Sequence, residues 1–461
     1  MTGVDERQRA DDGRVNMYTT EKLAEFALSI RSEDLTDAVI TAAKRCMLDL
    51  LGAARAGHGT ESAVALYHMA LKNFSTGKSS IWFTPNKMTA SAAAMVNAAS
   101  ASALDLDDGN RKAAGHPGAS IIPAAFAVAQ EVGASGRDTL AAMTIGYDIA
   151  CRIGAARDFS RLPTLSTGRW CAFGAAAAAG WLRGVSAPAL SQALAITGAQ
   201  IPDLAASGYS TVMGNHVKEG IPWATMLGVV AVDLALDGFT GPLDILDHPD
   251  YFDPRQIMAT PGIRWAIEDA YFKPYSSCRW SHAAIDALLA ILHENALLPD
   301  AIDRITVETF ERALRLNNYP APASLEAAQY SIPFCLGVAA VKGPAALLPL
   351  RNDSLQDEDI INFARRVTLT LDIDLNALFP QKTPARVSVK TSAGCIEKTV
   401  IEPRGDPANP MTRMELESKF SRLTRNFMTE SQQKQIIQSV QEMDDGNHSM
   451  EIWLSGEPDM P

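Results

Sequence analysis

The chain has 461 residues, 47% of them hydrophobic and 20% charged, the balance of a packed protein long enough for two domains. Its net charge of −12 argues against a general nucleic-acid binder, and any site for an acidic ligand must gather its cations locally. Six cysteines without a CxxC pair and eight histidines without HExxH spacing point to a reducing, cytoplasmic setting and to no bound metal.

The opening stretch "MTGVDERQRADDGRVNM" is polar and lacks the apolar run of a signal peptide. No segment reads as apolar enough for a membrane span. From residue 20 to roughly 265 the pattern is helix after helix. "TTEKLAEFALSI" offers Thr20 as an N-cap, and "TDAVITAAKRCMLDLLGAARAG" repeats apolar residues at three and four and stops at glycine. "SAAAMVNAASASALDL", "GASIIPAAFAVAQEVG", "GRDTLAAMTIGYDIACRIGAA", "CAFGAAAAAGWLRG", "APALSQALAITGAQ" and "IPWATMLGVVAVDLALDGFTGP" continue the series. So much alanine implies closely packed helices.

Near residue 270 the texture changes. "RITVETF", "RVTLTLDIDL" and "ARVSVKTSAGCIEKTVIEP" alternate β-branched and polar residues, the last as a hairpin turning at Ser392, Ala393 and Gly394. "SLEAAQYSIPFCLGVAAVKG" between them is helical, and "NPMTRMELESKFSRLTRNFM" returns to helix. The fold class is therefore mostly α: a helical domain over 1–268, joined by C-terminal helices within 406–461, plus a smaller α+β lid over 269–405.

Four segments could carry chemistry. "LDLDDGNRKAAGHPGAS" sets Asp105, Asp107 and Asp108 beside His116, with Pro117 opening a helix whose free N–H groups suit an anion. If the preceding helix continues, Asp105 and Asp108 share a face and Asp107 points elsewhere. A capped loop with solvated charges is the equal alternative. "GNHVKEGIPWATMLG" places Lys218 ahead of an apolar helix, where a surface lysine is also reasonable. "DAYFKPYSSCRWSHAAIDALLA" gathers Lys273, Tyr275, Ser277, Cys278, Arg279 and His282 near a helix start, donors and cations that suit a carboxylate or its enediolate. Cys278 reads better as a small buried side chain than as a nucleophile. "PTLSTGRWCAFGAAAAAG" adds Arg169, a carboxylate clamp or a partner for an aspartate; Tyr209 and His216 are further polar candidates.

Taken in order, "LDLDDG…GHPGAS", "GAAAAAG…G", "VKEG…GFTGP", "KPYSSCRWSHAAID" and "SLEAAQYSIPF" resemble the MmgE/PrpD family over essentially the whole chain. That family includes 2-methylcitrate dehydratases, cis-aconitate decarboxylases and iminodisuccinate epimerases. The resemblance implies a helical domain with an α+β lid, a homodimer, no cofactor, and a small di- or tricarboxylate as substrate. It matches Asp105, His116, Lys218, Lys273 and His282 to family motif positions. It departs from the decarboxylase pattern at Gly109, where a threonine is usual, within "LSTGRW", where a histidine is usual, and at Cys278, another histidine position. A family tyrosine falls near Ile332, close to Tyr330.

The expected chemistry is proton removal α to a carboxylate. Arg279 with Lys218 or Lys273 would bind the substrate, His116 or a lysine would act as base, and Asp105 would orient His116. Tyr275, Ser277, His282 and Arg169 complete the expected binding set. Epimerisation fits best, because it needs only two bases and a stabilised carbanion. Dehydration of the 2-methylcitrate type and, less so, decarboxylation are the enzymatic alternatives; a carboxylate-binding protein on a retired enzyme fold is the non-enzymatic one.

Overall fold

Small side chains set the spacing of the helical body. In the computed structural model, which describes residues 17–201 and 214–445, α1 (Thr19–Ser29), α2 (Asp37–Gly57) and α3 (Glu61–Asn73) lead into a tight group. The group is α4 (Ala90–Ser102), α5 (Gly118–Val132), α6 (Gly136–Ala155), α7 (Cys171–Leu182), α8 (Ala187–Gln200) and α9 (Ile221–Leu236). A methyl group on Gly146 of α6 would stand 2.5 Å from the Gly174 carbonyl of α7, and one on Gly174 would stand 2.3 Å from the Gly146 carbonyl. The two backbones touch, which is what the alanine content implies. Thr36 caps α2 by accepting from the Val39 amide. Thr20 does not cap α1: the helix begins at Thr19, and the Thr20 hydroxyl donates to the Leu243 carbonyl.

The run Lys218–Leu236 is long and apolar enough by composition to cross a membrane, which the sequence reading did not anticipate. Half of it is buried, and α9 packs on α4, α7 and α8, so it serves here as a core helix.

Two short ladders precede the cap. β1 (Thr76–Ser80) pairs with β2 (Lys87–Met88), and β3 (Gly109–Asn110) pairs with β4 (Ala270–Tyr271). The second ladder ties the acidic segment of the body to the strand that enters the cap. The cap itself is a four-stranded sheet of β5 (Ile302–Thr309), β6 (Val367–Leu371), β7 (Ala385–Thr391) and β8 (Gly394–Val400), in the order β6-β5-β7-β8. Only β5 and β6 run parallel; Val307 stands opposite Val387, which stands opposite Lys398. Ala385, Val387, Val389 and Thr391 alternate inward, toward α10 (His282–Glu294). Ser392 and Ala393 form the β7–β8 turn, and Gly394 opens β8 with φ +141°. α11 (Leu325–Gln329) and α12 (Ile332–Val341) follow β5; α12 packs in the cap on α10, and Gln329 of α11 reaches the body at Ala103.

One core takes side chains from Leu23 to Phe272 and again from Met411 to Met443; a second takes them from Tyr275 to Val389. The return is made by α13 (Arg413–Thr424) and α14 (Glu430–Gln441), which pack on α2. Here Lys419 lies buried 2.6 Å from Asp49 and donates to the Leu106 carbonyl at 2.7 Å, holding the acidic segment from behind. Lys419→Met leaves the Asp49 carboxylate buried and alone, so urea unfolding should show a loss of about 3–5 kcal/mol. Adding Asp49→Asn should recover part of it; an unchanged single variant would show that the pair does not anchor this segment.

Candidate active site

The acidic segment is positioned by donors from elsewhere in the chain. α4 ends at Ser102, and the next three carbonyls of interest are each claimed: Ala103 by Gln329 Nε2 at 3.0 Å, Leu104 by Ser276 Oγ at 2.6 Å and Leu106 by Lys419 Nζ at 2.7 Å. Leu104 and Leu106 turn into a small apolar cluster with Ala53 and Leu423. Asp105 and Asp107 therefore point the other way, together. The helix does not continue, so Asp105 and Asp108 do not share a helix face. Asp108 instead accepts from the Tyr147 hydroxyl at 2.7 Å and stands beside Gly118, where a Cβ would meet its Oδ1 at 1.8 Å. The helix start expected to be open to an anion thus faces a carboxylate of the protein. Burial, with the neighbouring Asp49 and Asp107, pushes the Asp108 carboxyl up to about 7 despite its bond from Tyr147.

Asp105 is the hub. Its Oδ1 lies 3.1 Å from Lys218 Nζ, 3.2 Å from Lys273 Nζ and 3.8 Å from His116 Nε2. Both ammonium groups are buried, Lys273 completely. Lys218 also donates to Gln329 Oε1 at 2.8 Å and lies over the Tyr330 ring. Burial alone would raise the Asp105 carboxyl; the two ammonium groups and His116 outweigh it and hold it well below the usual range, while Lys218 is raised by Asp105 against its own burial.

His116 stands at the open side of this cluster. Its Nδ1 is 3.2 Å from Asp107 Oδ2 and 3.3 Å from Lys273 Nζ. That nitrogen serves one neighbour at a time: protonated, it donates to Asp107; unprotonated, it accepts from Lys273. Burial and Lys273 push the imidazole down, but Asp107 and Asp105 prevail and raise it. Nε2 looks toward Glu219 Oε1 at 3.9 Å. Glu219 is fixed through its other oxygen, which accepts from the Thr167 amide and hydroxyl, both at 2.8 Å. The same Thr167 hydroxyl accepts from the His116 amide at 3.0 Å.

The backbone is strained where it presents these groups. Asp105 (φ +54°), Lys218 (φ +45°) and Glu219 (φ +57°) all occupy the left-handed region. Each costs about 1–3 kcal/mol and persists only where the surroundings overdetermine it.

The cluster opens into a cavity of about 240 Å³ between body and cap, lined by His116, Lys218, Glu219, Tyr271, Cys278 and Tyr330 among others. Arg279 also lines it, but its guanidinium is spent on Asp406 at 2.9 Å and on the Pro403 and Arg404 carbonyls. Arg111 meets the same Asp406 at 2.7 Å, and the two guanidiniums sit over the Tyr271 ring.

Three other expected binding residues face the protein rather than the cavity. Tyr275 donates to Asp286 at 2.7 Å, Ser277 bonds Ser281 at 2.7 Å, and His282 sits between Arg279 and the Ser277 carbonyl. Burial first, then Arg279 and Lys273, hold His282 neutral. Arg169 is half-buried outside the lining, and His216 is exposed near Glu61 and Glu326. Tyr209 falls outside the described residues. Burial pushes the Cys278 thiol up to about 12, so it is no thiolate. Asp105, Asp107 and His116 offer ligand atoms within 4.8 Å of one another, a spacing a cation could use. The Lys218 and Lys273 ammonium groups already bring positive charge to Asp105.

Gly109 has a physical reason. A Cβ there would stand 2.3 Å from Tyr271 Cζ and from its hydroxyl oxygen, so the phenol occupies the space a side chain would need. Glu219, Gln329, Tyr271 and the Arg111–Asp406 pair were not singled out in the sequence. Glu219, Gln329, Tyr271 and Arg111 all fall inside quoted stretches, in "VKEG", "SLEAAQYSIPF", "DAYFKPYSSC" and "GNRKAAG", but nothing local set them apart.

A helical body and α+β cap with a cationic cleft between them define the architectural class. The chain belongs to the MmgE/PrpD family: the MmgE/PrpD N-terminal domain matches residues 21–256 and the C-terminal domain residues 275–445. It is similar to the cis-aconitate decarboxylases of Homo sapiens (26% identity, 92% of each chain) and Mus musculus (24%, 92% of this chain and 91% of the relative). The cis-aconitate decarboxylase of Aspergillus terreus is 24% identical over 95% of each chain.

Gly109→Thr should abolish binding in the cleft, read as loss of ligand-induced thermal stabilisation, and Tyr271→Ala in the same chain should restore part of it. A fully active Gly109→Thr protein would mean that Tyr271 moves freely.

Proposed function

We propose that the protein is an enzyme that removes a proton α to a carboxylate of a small organic acid. The observation that carries this reading is the meeting of Lys218, Lys273 and His116 around Asp105, with Lys218 and His116 lining one cavity. The substrate carboxylate lies against Lys218, and the two ammonium groups offset charge as the enediolate forms. His116 Nε2 takes the proton, while Nδ1 keeps its own proton toward Asp107. Glu219, 3.9 Å from Nε2, would hand a proton on or return one to the opposite face. Two proton-handling groups, His116 and Glu219, support epimerisation. A lyase is the second reading, favoured by the cis-aconitate decarboxylases among the relatives.

Incubation in D₂O with a panel of small di- and tricarboxylates separates the outcomes. Epimerisation puts solvent deuterium into recovered substrate, dehydration gives an unsaturated product, and decarboxylation releases CO₂. No exchange and no product across the panel would contradict the proposal.

His116→Gln should lower turnover by about 10²–10⁴-fold with little change in fold. As base, His116 must first shed its proton. Because its pKa is raised, kcat/KM should climb with pH through a value above the ordinary histidine pKa of about 6.5. Asp107→Asn should move that limb to lower pH. An acidic limb that Asp107→Asn leaves in place would remove His116 from the base's role.

A further inference from the structure

Part of the cavity lining is apolar. Leu165 and Val217 come from the body; Trp280, Leu316, Phe379 and Pro380 come from the cap. The aromatic side chains are fixed to one another: Trp280 meets Phe379 edge-on at 5.8 Å, and Phe379 stacks on Phe310 at 4.7 Å. Each cation in the lining is engaged by a carboxylate. Lys218 is on Asp105, and Arg111 and Arg279 share Asp406. A buried hydroxyl, Thr383 Oγ1, also lines the cavity and has no hydrogen-bond partner among the described residues.

A compact acid with carboxylates pointing in every direction would have to press one of them onto Trp280, Leu316 or Phe379. There it would be desolvated without a counter-ion, a heavy penalty. A hydrocarbon group in the same place gains by leaving water. Thr383 could meet a neutral oxygen on such a group, since a hydroxyl is enough for a carbonyl or an alcohol.

We infer that the substrate carries its carboxylates at one end only, on the Lys218–His116 side, and an apolar arm at the other, lying on Trp280, Leu316 and Phe379. This rests on the reading of the cleft as a carboxylate site, and it narrows the expected di- or tricarboxylate to an acid with a hydrocarbon substituent.

Calorimetric titration of the full chain with succinate, 2-methylsuccinate, 2-propylsuccinate and propane-1,2,3-tricarboxylate tests it. Affinity should rise about 4-fold per added methylene, and the tricarboxylate should bind no better than succinate. Leu316→Gln should flatten the alkyl series and leave succinate where it was. A flat series in the unmodified protein, one with no binding included, overturns the inference, as does a tricarboxylate that binds tightest. The D₂O exchange readout is separate: an alkyl slope without exchange would sink the proton chemistry and keep the arm, and exchange with a flat slope would do the reverse.

Discussion

The arrangement depends on one buried carboxylate. Asp105 has two ammonium groups at 3.1 and 3.2 Å and an imidazole at 3.8 Å, all nearly out of solvent. Burial works against the charge on Lys218, because it penalises the charged form, and Asp105 overrides it. Asp105 makes the positive charge tolerable and so keeps Lys218 facing the cavity, with Lys273 buried behind it, in a protein whose net charge is −12. Positive charge is thus gathered locally, within a few ångströms, in a chain that is acidic as a whole.

Holding Asp105 there takes contributions from the whole chain. The carbonyls around it are bound by Gln329 and Ser276 from the cap side and by Lys419 from α13. Lys218 opens a left-handed turn ahead of α9, and Lys273 follows the β3–β4 ladder that also seats Tyr271 against Gly109. Body and cap are thus joined through the site itself. A shift of the cap would move Lys273, Gln329 and Tyr330 relative to His116, so domain packing and chemistry are coupled. The same joint leaves an apolar surface of Trp280, Leu316 and Phe379 on the cap side of the cavity.

Much of this was legible in the sequence and some was not. Apolar spacing and alanine runs identify the helical body, and β-branched alternation identifies β5 to β8, because both are local patterns repeated over many residues. Charged residues set among apolar ones marked Asp105, His116, Lys218 and Lys273. What local reading could not reach was orientation. Asp105 and Asp108 look like helix neighbours until Leu104 and Leu106 are seen to turn into one apolar cluster. Arg279 and His282 look like substrate ligands until Asp406, more than a hundred residues on, claims the guanidinium. Thr20 looks like a cap until Leu243 takes its hydroxyl. In each case the deciding partner is distant in sequence, and no spacing rule connects them.

The claim at the centre is that the carboxylates around His116 outweigh burial and the adjacent ammonium, so that the ring is more basic than a free histidine. Titration of the His116 ring nitrogens by ¹⁵N NMR in the unliganded protein reads this directly. The account predicts protonation persisting above pH 6.5, the ordinary histidine value, with Nδ1 carrying a proton toward Asp107. A ring already neutral well below that pH would contradict it.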